Sequence, residues 1–75
     1  MRRLGSLERL SQGKGIAVLN TETPPNIGET VVDETLTEIG TIVDIIGPTA
    51  APYAVITPND SVDLIEHLDA KLYLR

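Results

Sequence analysis

Residues 38–58, EIGTIVDIIGPTAAPYAVITP, constrain the fold more than any other part of the chain. Two apolar runs, residues 39–46 and 53–57, flank a short segment punctuated by one glycine and two prolines. The runs are rich in isoleucine and valine, which fit the pleated surface of a sheet and are stiff in a helix. A Gly-Pro pair marks a turn. The stretch therefore predicts two strands joined by a rigid loop.

The first of these strands carries aliphatic side chains on both of its alternating faces. A half-buried strand is apolar on one face and polar on the other, but here only Gly40 and Asp44 dilute the face that includes Ile42 and Ile46. Two interpretations follow. Either the strand crosses the middle of a barrel and is covered on both sides by its own chain, or Ile42 and Ile46 face a partner, since exposed apolar clusters mark interfaces.

Four further stretches are predicted to be strands: residues 2–10, 15–19, 30–33 and 70–74. In the first, Leu4, Leu7 and Leu10 are three residues apart, which is helix-like, but Gly5 weakens a helix by about 1 kcal/mol relative to alanine. Residues 12–15 predict the turn of a hairpin. Residues 20–28 predict a loop stiffened by paired prolines, and residues 59–61 are able to cap a helical turn.

Six short strands with turn signals at close intervals predict an all-β fold. We expect a small closed six-stranded antiparallel barrel of the translation-factor-like type, with a single helical turn near the C-terminus. Closure would also remove the edge strands that otherwise invite aggregation.

Composition limits both the size and the chemistry of the chain. With 75 residues we expect a single domain over residues 1–75. The absence of cysteine excludes disulfides and thiol chemistry, and His67 alone cannot form a multi-histidine metal site. No apolar run approaches the roughly 18 residues of a membrane span, and no secretory signal is visible. We therefore expect a cytoplasmic protein with no membrane contact, no cofactor and no small-molecule ligand.

The net charge of −5 argues against autonomous binding of nucleic acid. A phosphate backbone is bound by clustered lysine and arginine, and two tyrosines on an acidic chain make a poor stacking platform for bases.

No set of residues in the sequence predicts catalysis. Asp33 and Asp44 are the aspartates within strand-like stretches, and nothing supplies a nucleophile, a cationic partner or metal ligands around them. We interpret both as solvent-facing strand-end aspartates, and His67, Lys71 and Arg75 as surface residues. The chain is predicted not to be an enzyme.

The central stretch resembles the signature of the Gar/Naf family, the small β-barrel subunits of H/ACA ribonucleoproteins, which are guide-RNA particles that make pseudouridine. The family pattern is roughly G-x-V-x-D-[VI]-[FI]-G-P, a short gap, then P-Y-[VA]-x-[IV]-x-P. The chain matches it at Gly40, Ile42, Asp44, Ile45, Ile46, Gly47, Pro48, Pro52, Tyr53, Ile56 and Pro58. Weaker matches at residues 3–5, 31–33 and 71–73 extend the resemblance over nearly the whole chain.

The resemblance implies a specific partner. The barrel would dock on the catalytic domain of a dyskerin-type pseudouridine synthase and meet the guide RNA only indirectly, through the complex. It would perform no chemical step, but would hold a mobile substrate-gripping loop of the synthase and so ease substrate loading and product release on rRNA. Eukaryotic members of the family add Gly/Arg-rich tails. The sequence contains no such stretch, so we expect the bare archaeal form.

Two departures from the family pattern predict a partner contact that is weaker or differently shaped. The gap at residues 49–51, Thr-Ala-Ala, is small and uncharged, and Ile46 stands where an aromatic residue is frequent.

We expect one segment, together with a strand residue before it, to bind the partner. These residues are Ile42, Ile46, Gly47, Pro48, Pro52 and Tyr53. The Gly-Pro and Pro elements fix the loop before binding, which lowers the entropy cost of docking. Tyr53 has the size and the single polar tip of an interface anchor; alternatively, it is a core residue at the start of a strand.

Two other functions remain open on the sequence alone. The first is a small barrel domain of the ribosome-maturation or photosynthetic-centre type that acts as a protein-interaction module, since such domains also favour V-x-D-I-x-G. The second is an autonomous RNA binder of the oligonucleotide-binding type, which the negative charge disfavours.

Overall fold

The computed structural model describes residues 2–19, 25–48, 50 and 52–75. Its six strands and one short 3-10 helix, here called the 3-10 turn, are β1 (Arg2–Ser11), β2 (Lys14–Leu19), β3 (Thr30–Val32), β4 (Glu38–Ile46), β5 (Tyr53–Pro58), the 3-10 turn (Leu64–His67) and β6 (Lys71–Leu74). Each predicted strand is present with its limits shifted by at most one residue at either end. Residues 20–24 of the predicted loop, and positions 49 and 51 of the uncharged gap, lie outside the described residues.

The strands close into a barrel in the order β1-β2-β5-β4-β3-β6, and every neighbouring pair is antiparallel. The predicted fold class is therefore confirmed. β1 and β2 form a hairpin in which Ser11 pairs with Lys14. The two residues between them, Gln12 and Gly13, have φ angles of 52° and 80°. Positive φ at both central residues gives a turn whose twist matches that of the flanking strands.

β1 is a strand whose inward side chains recur every third residue. Leu4 and Leu7 are fully buried, and Leu10 packs against the same core cluster. The pairing register shifts between Arg3 and Gly5 on the β6 side, and again after Leu7 on the β2 side. A β-bulge places one extra residue in a strand and so displaces the alternation of its side chains. The helix-like leucine spacing is thus the pattern of a doubly bulged strand.

Inward side chains also recur every third residue in β4, which explains why aliphatic residues occupy both alternating faces in its sequence. Ile39 and Ile42 are fully buried, and Ile45 packs against the core cluster. Ile42 pairs with Ile56, and Asp44 pairs with Val55, the residue adjacent to Ile56 in β5. Val43 is therefore the extra residue of a bulge.

The bulge explains why the prediction that Ile42 faces a partner is wrong for this structure. Without a bulge, Ile42 and Ile46 would lie on one face of the strand, because strand side chains alternate with a period of two. The extra residue Val43 reverses that alternation. Ile42 therefore points into the core with 0% exposure, whereas Ile46 remains 37% exposed on the outside.

Gly40 lies where two strand backbones meet. It is buried between β3 and β5, paired with Val31 on one side and Pro58 on the other. A Cβ atom at this position would overlap the carbonyl oxygen of Thr57 and would lie 2.9 Å from the Cα of Pro58. Glycine in a strand interior commonly marks such a close approach, and here the obstacle is backbone, which cannot rotate away.

The 3-10 turn closes one end of the barrel. Leu64 is buried in the core cluster, and its Cδ1 lies 3.2 Å from where a Cβ on Gly15 would be. The turn is capped by Asp63, whose carboxylate accepts a hydrogen bond of 3.1 Å from the backbone N of Ile65. A helical turn near the C-terminus is thus confirmed, but the cap is Asp63 and not residues 59–61, because the turn begins only at Leu64.

Candidate protein-binding face

The β4–β5 connection presents a shaped loop on the barrel surface. Gly47 and Pro48 are exposed, and Pro52 is half-buried. Gly47 has a φ of 92°, a left-handed backbone conformation that glycine reaches without the steric cost of a Cβ. Proline has a fixed φ of about −65°, so Pro48 and Pro52 limit the conformations open to the segments that they occupy.

An apolar row runs outward from this loop across three strands. Ile46 pairs with Tyr53 at the closed end of the β4–β5 hairpin, and Tyr53 pairs in turn with Val18 on β2. Ile46 is 37% and Val18 39% exposed, while Tyr53 is half-buried between them. The sequence located Ile46 and Tyr53 but missed Val18, which is distant in the chain and joins them only through the β2–β5 pairing.

Tyr53 belongs to the outer surface and lies outside the core cluster. The Arg9 guanidinium lies 5.4 Å from the centroid of the Tyr53 ring, within the range of a cation–π contact. Beside this pair, Ile16 is buried although it too lies outside the core cluster, and it pairs with Arg9 and Val55. The outside of the barrel therefore carries a small apolar cluster of its own here.

We refer to Val18, Val43, Ile46 and Tyr53 as the hairpin face. Val43 is exposed because it is the extra residue of the β4 bulge. The face is apolar at its centre, and Arg9 lies over its aromatic member. It offers shape and apolar contact but no nucleophile or acid–base pair, so its chemistry suits binding.

Both aspartates within strand-like stretches hold local backbone geometry. Asp44 accepts a hydrogen bond of 2.8 Å from the backbone N of Ile45, immediately after the bulge. Asp33 accepts from the backbone N of Thr35 at 2.8 Å, from its hydroxyl at 2.7 Å and from the backbone N of Thr37 at 3.1 Å. The Thr35 hydroxyl is the largest cause that lowers the pKa of Asp33 below its usual value. These contacts give both residues a structural role.

His67 lines an open depression of about 320 Å³ together with Asp33, Asp69 and Lys71. His67 is half-buried, which is less solvated than the sequence indicated, whereas Lys71 and Arg75 are exposed as predicted. Over residues 2–19, 25–48, 50 and 52–75, no three His, Cys, Asp or Glu side chains are grouped as metal ligands would be. In the same residues no helix is long and apolar enough to cross a membrane.

The barrel is similar to a solved structure described as "Structure of the Gar1 domain of NAf1". The two agree with a TM-score of 0.75 and 20% sequence identity, over 97% of this chain and 79% of that chain. The chain therefore has the fold of that Gar1 domain. A scan against protein-family models finds no match, and a search of curated proteins finds none either.

Proposed function

We propose that this chain is a non-catalytic protein subunit of an archaeal H/ACA ribonucleoprotein in the cytoplasm. In this role it binds the dyskerin-type pseudouridine synthase and assists substrate loading and product release during RNA-guided pseudouridylation of rRNA. The observation that carries the proposal is the barrel's similarity to the Gar1 domain of NAf1, at a TM-score of 0.75 over 97% of the chain.

The residues that match the Gar/Naf pattern support this proposal, because they determine the backbone shape of the β4–β5 hairpin. Gly40 permits the close approach of β4 to β5, Asp44 bonds the backbone beside the bulge, and Gly47 takes up a left-handed conformation. Each acts on the β4–β5 hairpin, so the resemblance to the Gar/Naf family concerns the element that presents the hairpin face.

The nature of the surface favours a protein partner over RNA. Ile46 and Val18 are exposed on either side of Tyr53, and aromatic residues within an apolar patch are typical interface anchors. The chain carries a net charge of −5, which opposes direct contact with a phosphate backbone. In the particle, guide RNA is therefore met through the synthase.

The proposal is tested by mixing the purified chain with the catalytic subunit of an archaeal dyskerin-type synthase and measuring affinity by calorimetry. We expect a one-to-one complex. Ile46→Asp should weaken it by about 30-fold, corresponding to a hot-spot loss of about 2 kcal/mol. The matched control is Ile27→Asp, because Ile27 is also exposed, at 65%, but lies outside the hairpin face.

The same samples give an RNA control. The isolated chain should not bind guide RNA measurably at about 0.15 M salt. Absence of a complex with the synthase, or equal losses for the two aspartate variants, would contradict the proposal; micromolar RNA binding would favour the oligonucleotide-binding alternative.

A further inference from the structure

A second apolar surface lies at the other end of the barrel from the hairpin face. Tyr53 begins β5 and Pro58 ends it, and a strand rises about 3.3 Å per residue, so the two ends are separated by roughly 16 Å. At the Pro58 end Ile65 in the 3-10 turn is 64% exposed, and Leu68, immediately after the turn, is 43% exposed. These are large aliphatic side chains on a short, well-capped element.

The exposed pair adjoins a concave site. An open depression of about 280 Å³ lies between the β1–β2 turn, the end of β5 and the 3-10 turn. Its apolar lining includes Leu10, Pro58, Val62 and Ile65. A depression of this kind has room for one large aliphatic or aromatic side chain from outside, and Ile65 would flank it.

The rim of this surface is strongly acidic. Residues 59–69 contain four carboxylates and no lysine or arginine. The four are Asp60, Asp63, Glu66 and Asp69, and all are exposed. None of them takes part in the ion pairs found among the described residues, which join Arg2 to Glu29, Arg9 to Glu8 and Arg75 to Glu38. The nearest cation in sequence is Lys71, which begins β6.

We propose that this surface, formed by Asp60, Asp63, Ile65, Glu66, Leu68 and Asp69 and called the acidic turn surface, binds a basic amphipathic segment of a protein partner. An apolar side chain of that segment enters the depression or packs on Ile65 and Leu68. Its lysines or arginines face the carboxylate rim. The inference is independent of the function proposed for the hairpin face.

Charge complementarity selects this occupant over the others. Anionic lipid headgroups and nucleic acid phosphates would be repelled by the carboxylate rim. A second copy of the same surface would bring like charges together, which disfavours a symmetric dimer through it. A protein segment with lysine or arginine around an apolar centre satisfies both the apolar contact and the charge.

The test uses the full chain, labelled with ¹⁵N, and two synthetic peptides followed by NMR in about 50 mM salt. One peptide carries leucines on one helical face and lysines on the other; the second has glutamate in place of every lysine. We expect the lysine peptide to shift the amides of residues 59–69 and of the β1–β2 turn, and to leave the hairpin face unchanged. The glutamate peptide should shift nothing.

Two double variants separate the apolar from the charged contribution. Ile65→Ser with Leu68→Ser should weaken the lysine peptide by about 5-fold or more, the size expected for losing roughly 1 kcal/mol of apolar contact. Asp60→Asn with Glu66→Gln should weaken it several-fold at low salt and flatten its salt dependence. Asp63 is left intact because it caps the turn.

Ile27→Ser is the matched control, since it removes an equally exposed isoleucine elsewhere, and it should leave the affinity unchanged. Equal binding of the two peptides, shifts centred away from residues 59–69, or full affinity in both double variants would overturn the inference. The charge variant alters only exposed side chains, so it decides the question even if the apolar variant unfolds.

Discussion

The two halves of β4 have similar sequences and opposite surroundings. Before the bulge, Ile39, Gly40 and Ile42 are all buried, and the backbone of β4 approaches that of β5 too closely for a Cβ. After it, Val43 and Ile46 are exposed at the start of the hairpin face. One extra residue therefore divides an aliphatic strand into a fully buried part and a part that exposes Ile46, although Ile45 still packs against the core. The difference shows that strand register decides whether similar residue types are buried or exposed.

The largest contrast is expected between Ile42→Ala and Ile46→Ala. Truncating a fully buried isoleucine removes its burial and leaves a cavity, at a cost of about 2–5 kcal/mol. A chain of this length has a free energy of unfolding of roughly 4–11 kcal/mol, so Ile42→Ala should remove a large part of the barrel's stability. Ile46→Ala should cost under about 1 kcal/mol because the side chain is already partly exposed. Urea denaturation measures both; similar losses would contradict the division of β4.

Glycine substitutions test the inner half through the backbone. Gly40→Val should destabilise the barrel by about 1–3 kcal/mol, since the added side chain meets the backbone of Thr57 and Pro58. Gly15→Ala is the companion variant, because its Cβ would lie 2.8 Å from the end of the Leu7 side chain, which can rotate. Melting temperatures compare the two. A Gly40→Val protein that melts like the parent would show that β4 and β5 can separate without cost.

The smallest expected effect on stability concerns Asp33, which precedes β4, in comparison with Asp44, which lies within β4. The pKa of Asp33 is lowered in the folded state, chiefly by the Thr35 hydroxyl. Its charged form therefore adds stability above the unfolded-state pKa of about 3.8, and this is lost as the pH falls through the lower folded-state value. Asp33→Asn should lower the free energy of unfolding by about 1 kcal/mol or less at pH 7, and this deficit should shrink below about pH 4.

Chemical denaturation at pH 7 and at pH 3 measures that dependence. Asp44→Asn serves as the comparison, because among the described residues the hydrogen bond that Asp44 accepts comes from the adjacent residue, Ile45. A deficit for Asp33→Asn that is independent of pH would contradict a role for the charge of Asp33.

Local residue patterns were sufficient to predict the six strands and the closed barrel. Alternating aliphatics, Gly-Pro punctuation and the Gly13 turn all act over a few residues, so each is visible in the sequence. The bulges are not among the predictions, because the spacing of three in Leu4, Leu7 and Leu10 is that of a helix and departs from that of a regular strand. Apolar residues spaced by three within a stretch of strand-forming residues are the sequence signal that would indicate a bulged strand.

The sequence predicts those residues of the candidate site that are close together in the chain. It misses those that strand pairing brings in from distant segments. Ile46 and Tyr53 flank one loop, so the sequence brings them together. Val18 and Arg9 reach Tyr53 through the β2–β5 and β1–β2 registers, which depend on contacts between distant segments. The prediction places Ile42 on the same strand face as Ile46. The bulge between them reverses the alternation of side chains, so the two residues lie on opposite faces.

The most direct test of the account is pseudouridine formation by an archaeal H/ACA particle reconstituted with this chain, its synthase and guide RNA. The double variant Ile46→Asp with Pro48→Ala alters the exposed half of the β4–β5 hairpin and leaves the core intact, and Ile27→Asp is its control. We expect the parent chain and the control to accelerate multiple-turnover modification. The folded double variant should fail to do so, while the first turnover changes much less. Equal stimulation by the double variant, or none by the parent chain, would contradict the account.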